Sequence, residues 1–179
     1  ENYFFRLSRY QDALRRHIGE HPAFISPEIR RNEILGFLSS GLDDISVSRA
    51  GVEWGIRCPF DEAQAIYVWF DALVNYLSGA GFPGDPGRFS RHWPADIHIV
   101  GKDITRFHCI IWPAMLLSAG LPLPRTVWGH GFVHMGGEKM SKTRGGAVDP
   151  VGLADEYGAD ALRYFLLREE VAEGVGGKS

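Results

Sequence analysis

The stretch Gly136-Gly137-Glu138-Lys139-Met140-Ser141-Lys142-Thr143-Arg144-Gly145-Gly146 packs two lysines, an arginine, two hydroxyls and four glycines into one short run. A polyanion suits it. Glycines let backbone N–H groups come close to phosphate oxygens, and ammonium groups on flexible stems follow negative charge as it shifts during phosphoryl or nucleotidyl chemistry. The same composition also describes an exposed hairpin with solvated lysines, so residue order has to decide between the two.

Three other stretches carry chemistry. Tyr67-Val68-Trp69-Phe70-Asp71-Ala72-Leu73-Val74-Asn75-Tyr76 sets an indole and a phenol among small and apolar groups. Flat aromatic faces complement a polarizable thioether better than a branched aliphatic chain, although aromatics in such a run also serve as core. In Gly101-Lys102-Asp103-Ile104-Thr105-Arg106-Phe107-His108 the glycine permits close approach by a nucleoside, and the aspartate is able to accept from both ribose hydroxyls. Asp103 is equally suited to cap a helix, and His108 to be a satisfied buried histidine. Gly129-His130-Gly131-Phe132 offers backbone against which a ligand can lie, or simply a glycine-rich hairpin.

Two rival phosphate motifs fail on inspection. Gly177-Lys178-Ser179 is similar to the end of a P-loop, but that loop needs glycine where Ala172 stands, and no strand-to-helix context follows. His17-Ile18-Gly19-Glu20 falls at the tail of an amphipathic pattern rather than at the start of a helix. Cys58 and Cys109 are far apart, without a C-x-x-C pair or metal-ligand spacing, so no zinc or other metal site is expected within the chain.

The elements that must position these residues read as follows. Leu7, Tyr10, Leu14 and Ile18 recur at helical spacing. A second helix is expected from Ser26-Pro27, with serine as cap and proline in the first turn, to about Gly41. Ile45 to Arg49 alternates weakly, as a strand. Residues 65–69, 97–101 and 126–130 read as three parallel strands buried on both faces, with a helix over Thr105 to Ala119 between the last two and a surface loop over Gly79 to Arg91. Asp149-Pro150 and Asp160 each start a helix, and Gly174 to Ser179 is too polar to pack. In such sheets, ligands sit beyond the carboxyl ends of the strands. At 179 residues and 45% hydrophobic the chain suits one globular domain; its net charge of -3 advertises no nucleic-acid surface. No apolar stretch approaches the length that spans a bilayer, and two lone thiols suit a reducing compartment, so a cytoplasmic location is expected.

Lys139-Met140-Ser141-Lys142-Thr143 resembles the K-M-S-K-S signature of class I aminoacyl-tRNA synthetases, with threonine for the last serine. Trp69-Phe70-Asp71-Ala72-Leu73 with Tyr76 beyond it is similar to the methionyl-tRNA synthetases, whereas the isoleucine, valine and leucine relatives favour W-F-D-S or a similar polar turn. Gly101-Lys102-Asp103-Ile104 with Phe107-His108, then Trp112-Pro113-Ala114-Met115, and Tyr157 to Arg168 continue the methionyl family's pattern in order. The resemblance runs from Glu1 to about Glu170. It implies an α/β fold: the second half of a Rossmann-like parallel sheet, preceded by helices from the end of a connective region and followed by stem-contact-fold helices.

By that resemblance residues 1–60 are the end of the connective region, 61–135 the second half of the catalytic domain, 136–170 the K-M-S-K-T loop with its following helices, and 171–179 a flexible tail. It implies that Trp69, Ala72, Leu73, Tyr76, Ile104 and His108 surround methionine. It likewise implies that Gly101, Asp103, His130, Gly131, Lys139, Met140, Ser141, Lys142 and Thr143 hold ATP, with Lys139 and Lys142 catalytic. Trp112 packs behind the pocket. The implied activity is methionine–tRNA ligation with ATP and Mg2+, and tRNA(Met) as partner. His17-Ile18-Gly19-Glu20 departs from the family's H-I-G-H signature, and neither the amino-terminal catalytic half nor the anticodon-binding domain is in the sequence, so the isolated chain is expected to be inactive. The alternatives are a noncatalytic methionine- or adenosine-binding module and another class I synthetase of the leucine, isoleucine and valine group.

Overall fold

The computed structural model describes residues 1–132, 134–135, 138–139 and 149–169. After β1 (Phe4–Phe5) and a 3-10 turn, α1 (Gln11–Glu20) carries the expected apolar stripe, with Leu7, Leu14 and Ile18 all buried. His17 lies in the last turn of α1, away from any strand-to-helix junction. β2 (Ile25–Ser26) precedes α2 (Glu28–Ser39). Ser26 is therefore not the helix cap that was expected. Its backbone belongs to a strand, and Pro27 occupies the cap position without a side-chain hydrogen bond.

β3 (Ile45–Ser46) pairs antiparallel with β1, and β4 (Ser48–Ala50), β5 (Arg57–Cys58) and β6 (Asp61–Ile66) form an antiparallel sheet in the order β4-β6-β5. The expected strand over 65–69 is thus corrected twice. The strand stops at Ile66, where Tyr67 caps α3 (Val68–Ala80), and it joins this small sheet instead of the parallel one. Its apolar run continues into the helix because the first turn of α3 is itself apolar, which hides the boundary from a pattern reading. α3 ends at Gly81 with φ of +111°, a conformation that favours glycine, and Phe82 N–H bonds back to the Leu77 carbonyl at 3.0 Å. The expected loop after it contains α4 (Pro86–His92), capped by the Asp85 side chain on Arg88 N–H.

β7 (His98–Gly101) and β8 (Val127–His130) are the two parallel strands that the sequence located, and β2 supplies the third, in the order β2-β8-β7. Between β7 and β8 a 3-10 turn (Lys102–Ile104) leads into the expected helix, which runs without a break over residues 105–118 and holds a π-helical turn (Phe107–Ile111) before α5 (Trp112–Ser118). β9 (His134–Met135) and β10 (Glu138–Lys139) pair antiparallel, and α6 (Pro150–Tyr157) and α7 (Ala159–Glu169) come later in the chain. Asp149 caps α6 as expected, accepting from Val151 and Gly152 N–H.

Among the described residues, two cores hold α1, α2, α3, α5 and the parallel sheet. One packs Leu14 and Ile18 of α1 and Ile34 and Leu38 of α2 against Ile25, Val100 and Val127 of the parallel sheet. The other joins Leu73 and Leu77 of α3 to Trp93, Trp112 and Leu116. The strands are not buried on both faces, contrary to the all-apolar reading: Val100 is buried, but Ile99 is 64% exposed. Alternation along β7 sends His98 and Val100 to the helix-covered side and Ile99 to the other.

Candidate functional site

Parallel pairing sets the ends of β7 and β8 side by side, with Gly101 opposite His130. The two predicted nucleotide segments, Gly101 to Asp103 and His130-Gly131, therefore meet at the carboxyl edge of the sheet, where open α/β sheets hold ligands. Asp103 is exposed and makes no cap hydrogen bond. A methyl group on Gly101 would stand 2.7 Å from the Asp103 carboxylate oxygen, so a side chain there would push the exposed Asp103 carboxylate aside. The His130 ring lies 2.7 Å from the Gly131 carbonyl through Nδ1, which must therefore carry the proton. Lys102 rests its ammonium 4.6 Å above the Phe132 ring. Asp103 and Lys102 line a cleft of about 320 Å³ with Glu33, Thr105 and Arg106.

Four of the six predicted pocket residues fall on one stripe of α3. Trp69, Ala72, Leu73 and Tyr76 stand at positions i, i+3, i+4 and i+7, which share a helix face. Leu73 is buried in the second core, Ala72 is half-buried, and Trp69 remains partly open to solvent. Facing this stripe is the π-helical turn that carries Phe107 and His108. Such turns often occur at functional sites, and here it presents two consecutive residues to one helix. Phe107 stacks on Trp69 with ring centroids 4.7 Å apart and planes 28° from parallel. Tyr76 Oη lies 2.8 Å from His108 Nε2.

The tautomer follows from the partners. His108 Nδ1 lies 3.0 Å from the Ile104 carbonyl, which only accepts, so Nδ1 carries the proton and Nε2 accepts from the Tyr76 hydroxyl. Burial holds the His108 pKa below the usual histidine value, with the Ile104 bond opposing the shift. Burial, then His108, pushes His98 down to about 4. At neutral pH both imidazoles are uncharged, and burial also raises the Tyr76 phenol above its ordinary value. The wall is aromatic, polarizable and without charge. Cys109, beside it, is fully buried, and its thiol is pushed up to about 12 by burial, which makes it a packing group.

Phe107 had not been singled out, although it stood inside the motif: an ordinary α-helix would turn it about 100° from His108. His98 was likewise not assigned a role. Trp112 is buried as expected and donates through Nε1 to His98 Nε2 at 3.4 Å. Lys139 contributes backbone to β10, while Met140, Ser141, Lys142 and Thr143, the side chain of Lys139 and the tail at 171–179 lie outside the described residues. Among the described residues no group of three His, Cys, Asp or Glu stands close enough to hold a metal ion.

The model of the class I tRNA synthetases (M) matches residues 1–174. The chain belongs to the methionyl-tRNA synthetase family. It is 56% identical over 170 residues to the methionine–tRNA ligase of Mycobacterium tuberculosis (strain ATCC 25618 / H37Rv), covering 94% of this chain and 33% of that protein. To the ligase of Thermotoga maritima it is 50% identical over 169 residues, covering 94% of this chain and 27% of the other. The crystal structure of the Mycobacterium tuberculosis methionyl-tRNA synthetase bound by methionyl-adenylate superposes with a TM-score of 0.85 at 56% identity, over 94% of this chain and 33% of that one. These likenesses bear out the Rossmann-like α/β fold of a synthetase catalytic domain. The chain spans about a third of the length of these relatives.

Proposed function

We propose that these 179 residues form the methionine-reading wall and part of the ATP site of a methionine–tRNA ligase. The observation that carries this reading is the neutral Tyr76–His108 hydrogen bond beside the Trp69–Phe107 stack, at one end of a turn whose other end is Gly101 and Asp103. The stack offers flat faces to a thioether, and the uncharged pair offers a polar contact without the desolvation cost of an ion. A methionine bound there would direct its carboxylate toward the β7 and β8 ends, where Gly101, Asp103, His130 and Gly131 suit a ribose and adenine.

In the reaction, a methionine carboxylate oxygen attacks the α-phosphorus of MgATP and expels pyrophosphate. The tRNA 3′ hydroxyl then attacks the adenylate's carbonyl carbon and AMP leaves. Lys139 and Lys142 neutralise the charge that builds on the phosphates, with Met140, Ser141 and Thr143 supplying the loop around them. Residues 136–170 are the loop and its supporting helices, and 1–60 the return from a connective region. We read the cytoplasm as the place of action; among the described residues no helix is long and apolar enough to cross a membrane.

The absence of an H-I-G-H sequence within these residues favours a second outcome for the chain by itself: methionine or adenosine binding without turnover. Calorimetry with methionine, norleucine, isoleucine and ATP, alongside exchange of labelled pyrophosphate into ATP, tests both. Methionine is expected to bind more tightly than isoleucine, and exchange by the chain alone to be absent. Preference for isoleucine or leucine would reject the methionine reading; methionine-dependent exchange by the chain alone would reject the division of the site.

A further inference from the structure

We propose that His98 is a positioning residue for the aromatic pocket: it holds the Tyr76 ring, and through it the Tyr76–His108 hydrogen bond, in the geometry that selects the side chain to be read. This rests on the reading of that pocket as the methionine site. His98 touches no substrate in this account; it acts through Tyr76.

The geometry places His98 at the back of the pocket. It is 5% exposed and lies on β7, three residues before Gly101, so one strand carries both the pocket's rear wall and the turn at the nucleotide end. Its ring centroid is 4.3 Å from that of Tyr76 and 6.1 Å from that of His108. Its Nε2 accepts the Trp112 indole N–H at 3.4 Å, and the Trp112 ring centroid lies 5.9 Å from that of Tyr76. Tyr76 needs such a support. Beside it opens a cleft of about 420 Å³, lined also by Ala80, Trp93 and Ile97, into which a phenol has room to turn. Among the described residues, the hydrogen bond that draws Tyr76 inward runs to one acceptor, His108 Nε2. A flat ring at van der Waals distance, itself tied to the buried Trp112, closes off that rotation; an aliphatic side chain of similar size leaves the indole N–H unpaired and the phenol loosely backed.

The test uses this chain in four forms: wild type, His98→Leu, His98→Gln and His98→Phe. Glutamine keeps an acceptor near the position of Nε2; phenylalanine keeps the ring and loses the acceptor. Calorimetry with methionine is expected to show His98→Leu weakened about tenfold, with His98→Phe intermediate and His98→Gln within about threefold of wild type. Discrimination of methionine against isoleucine should fall in the leucine variant and return in the glutamine one, which a general loss of fold stability does not produce.

A second readout needs no ligand. Imidazole 15N shifts report the hydrogen bond that reaches His108 Nε2: the Ile104 carbonyl keeps the proton on Nδ1 in every variant, so wild type and His98→Gln should show an Nε2 that accepts from a hydroxyl, and His98→Leu an Nε2 shifted toward that of an unbonded acceptor. If His98→Leu binds methionine as wild type does and keeps the wild-type Nε2 shift, the proposal is overturned while the methionine site stands. If wild type does not bind methionine, the site reading fails, and the Nε2 shift still decides whether His98 controls the Tyr76–His108 bond. Should His98→Leu not fold, His98→Phe takes its place in both measurements, and wild-type behaviour there overturns the proposal.

Discussion

Tyr76 donates a hydrogen bond from its hydroxyl to His108, not the reverse, because the Ile104 carbonyl 3.0 Å from Nδ1 leaves His108 only Nε2, at 2.8 Å from Tyr76, with which to accept. The direction matters. A phenol that donates inward leaves its own oxygen lone pairs for a ligand, and an imidazole bonded on both nitrogens stays neutral.

Replacing Tyr76 by phenylalanine removes the donor and leaves His108 Nε2 buried without a partner. The cost of such an orphaned acceptor is about 1 to 3 kcal/mol. Thermal denaturation should show a lower midpoint, and calorimetry a weaker response to methionine than to ATP. An unchanged midpoint and methionine affinity would show that the bond contributes neither to the fold nor to the site.

The two depressed histidines make stability depend on pH. His98, at about 4 when folded and near 6.5 when unfolded, binds fewer protons in the native state across that interval. Stability is therefore fully present above about 6.5 and falls as pH drops toward 4, with His108 adding in the same direction. Denaturant midpoints measured between pH 7 and pH 4 should decline, and His98→Gln should flatten the decline. A midpoint that rises on acidification contradicts the assignment.

Gly129 and Gly36 should respond to alanine in opposite ways. A methyl group on Gly129 would stand 2.5 Å from Thr105 Cγ2, at the point where β8 passes under the turn after β7. Overpacking of this kind costs about 1 to 3 kcal/mol. Gly36, inside α2, has nothing within 4 Å, so alanine there should stabilise by about 0.5 to 1 kcal/mol. Urea unfolding of the two variants checks the signs.

Lys142→Ala, in an active ligase carrying this chain, should slow adenylate formation by roughly 100-fold, the worth of one preorganised cation at developing charge. Methionine affinity should change far less. Pyrophosphate exchange and calorimetry give the two numbers, and equal losses in both would falsify the role.

Periodicity located the helices whose apolar stripes meet a core: Leu14 and Ile18 in α1, and Ile34 and Leu38 in α2, are buried as their spacing requires. It misread β6 because Ala65-Ile66-Tyr67-Val68-Trp69 is equally apolar in strand and helix, and the break at Tyr67 is a backbone event without a composition signal. It missed Ile25-Ser26 for the opposite reason: two residues are too few to show a period, and only the register with Val127 and Trp128 reveals the strand. The residues assigned to the pocket on α3 came from the motif's resemblance to the family, and it is the helix that sets them on one stripe. Phe107 and His98 were not legible, since their neighbours come from π-helical geometry and from a strand pleat that no linear motif encodes.

The widened turn at Phe107–Ile111 also sets how this stretch tolerates changes of length. Remove one residue and the chain can close into a regular helix with the flanking turns largely in place, but Phe107 and His108 then no longer both face α3. The indole of Trp69 would lose its stacking neighbour while the helices stayed intact. Deletions here should therefore give proteins that fold and no longer read their ligand.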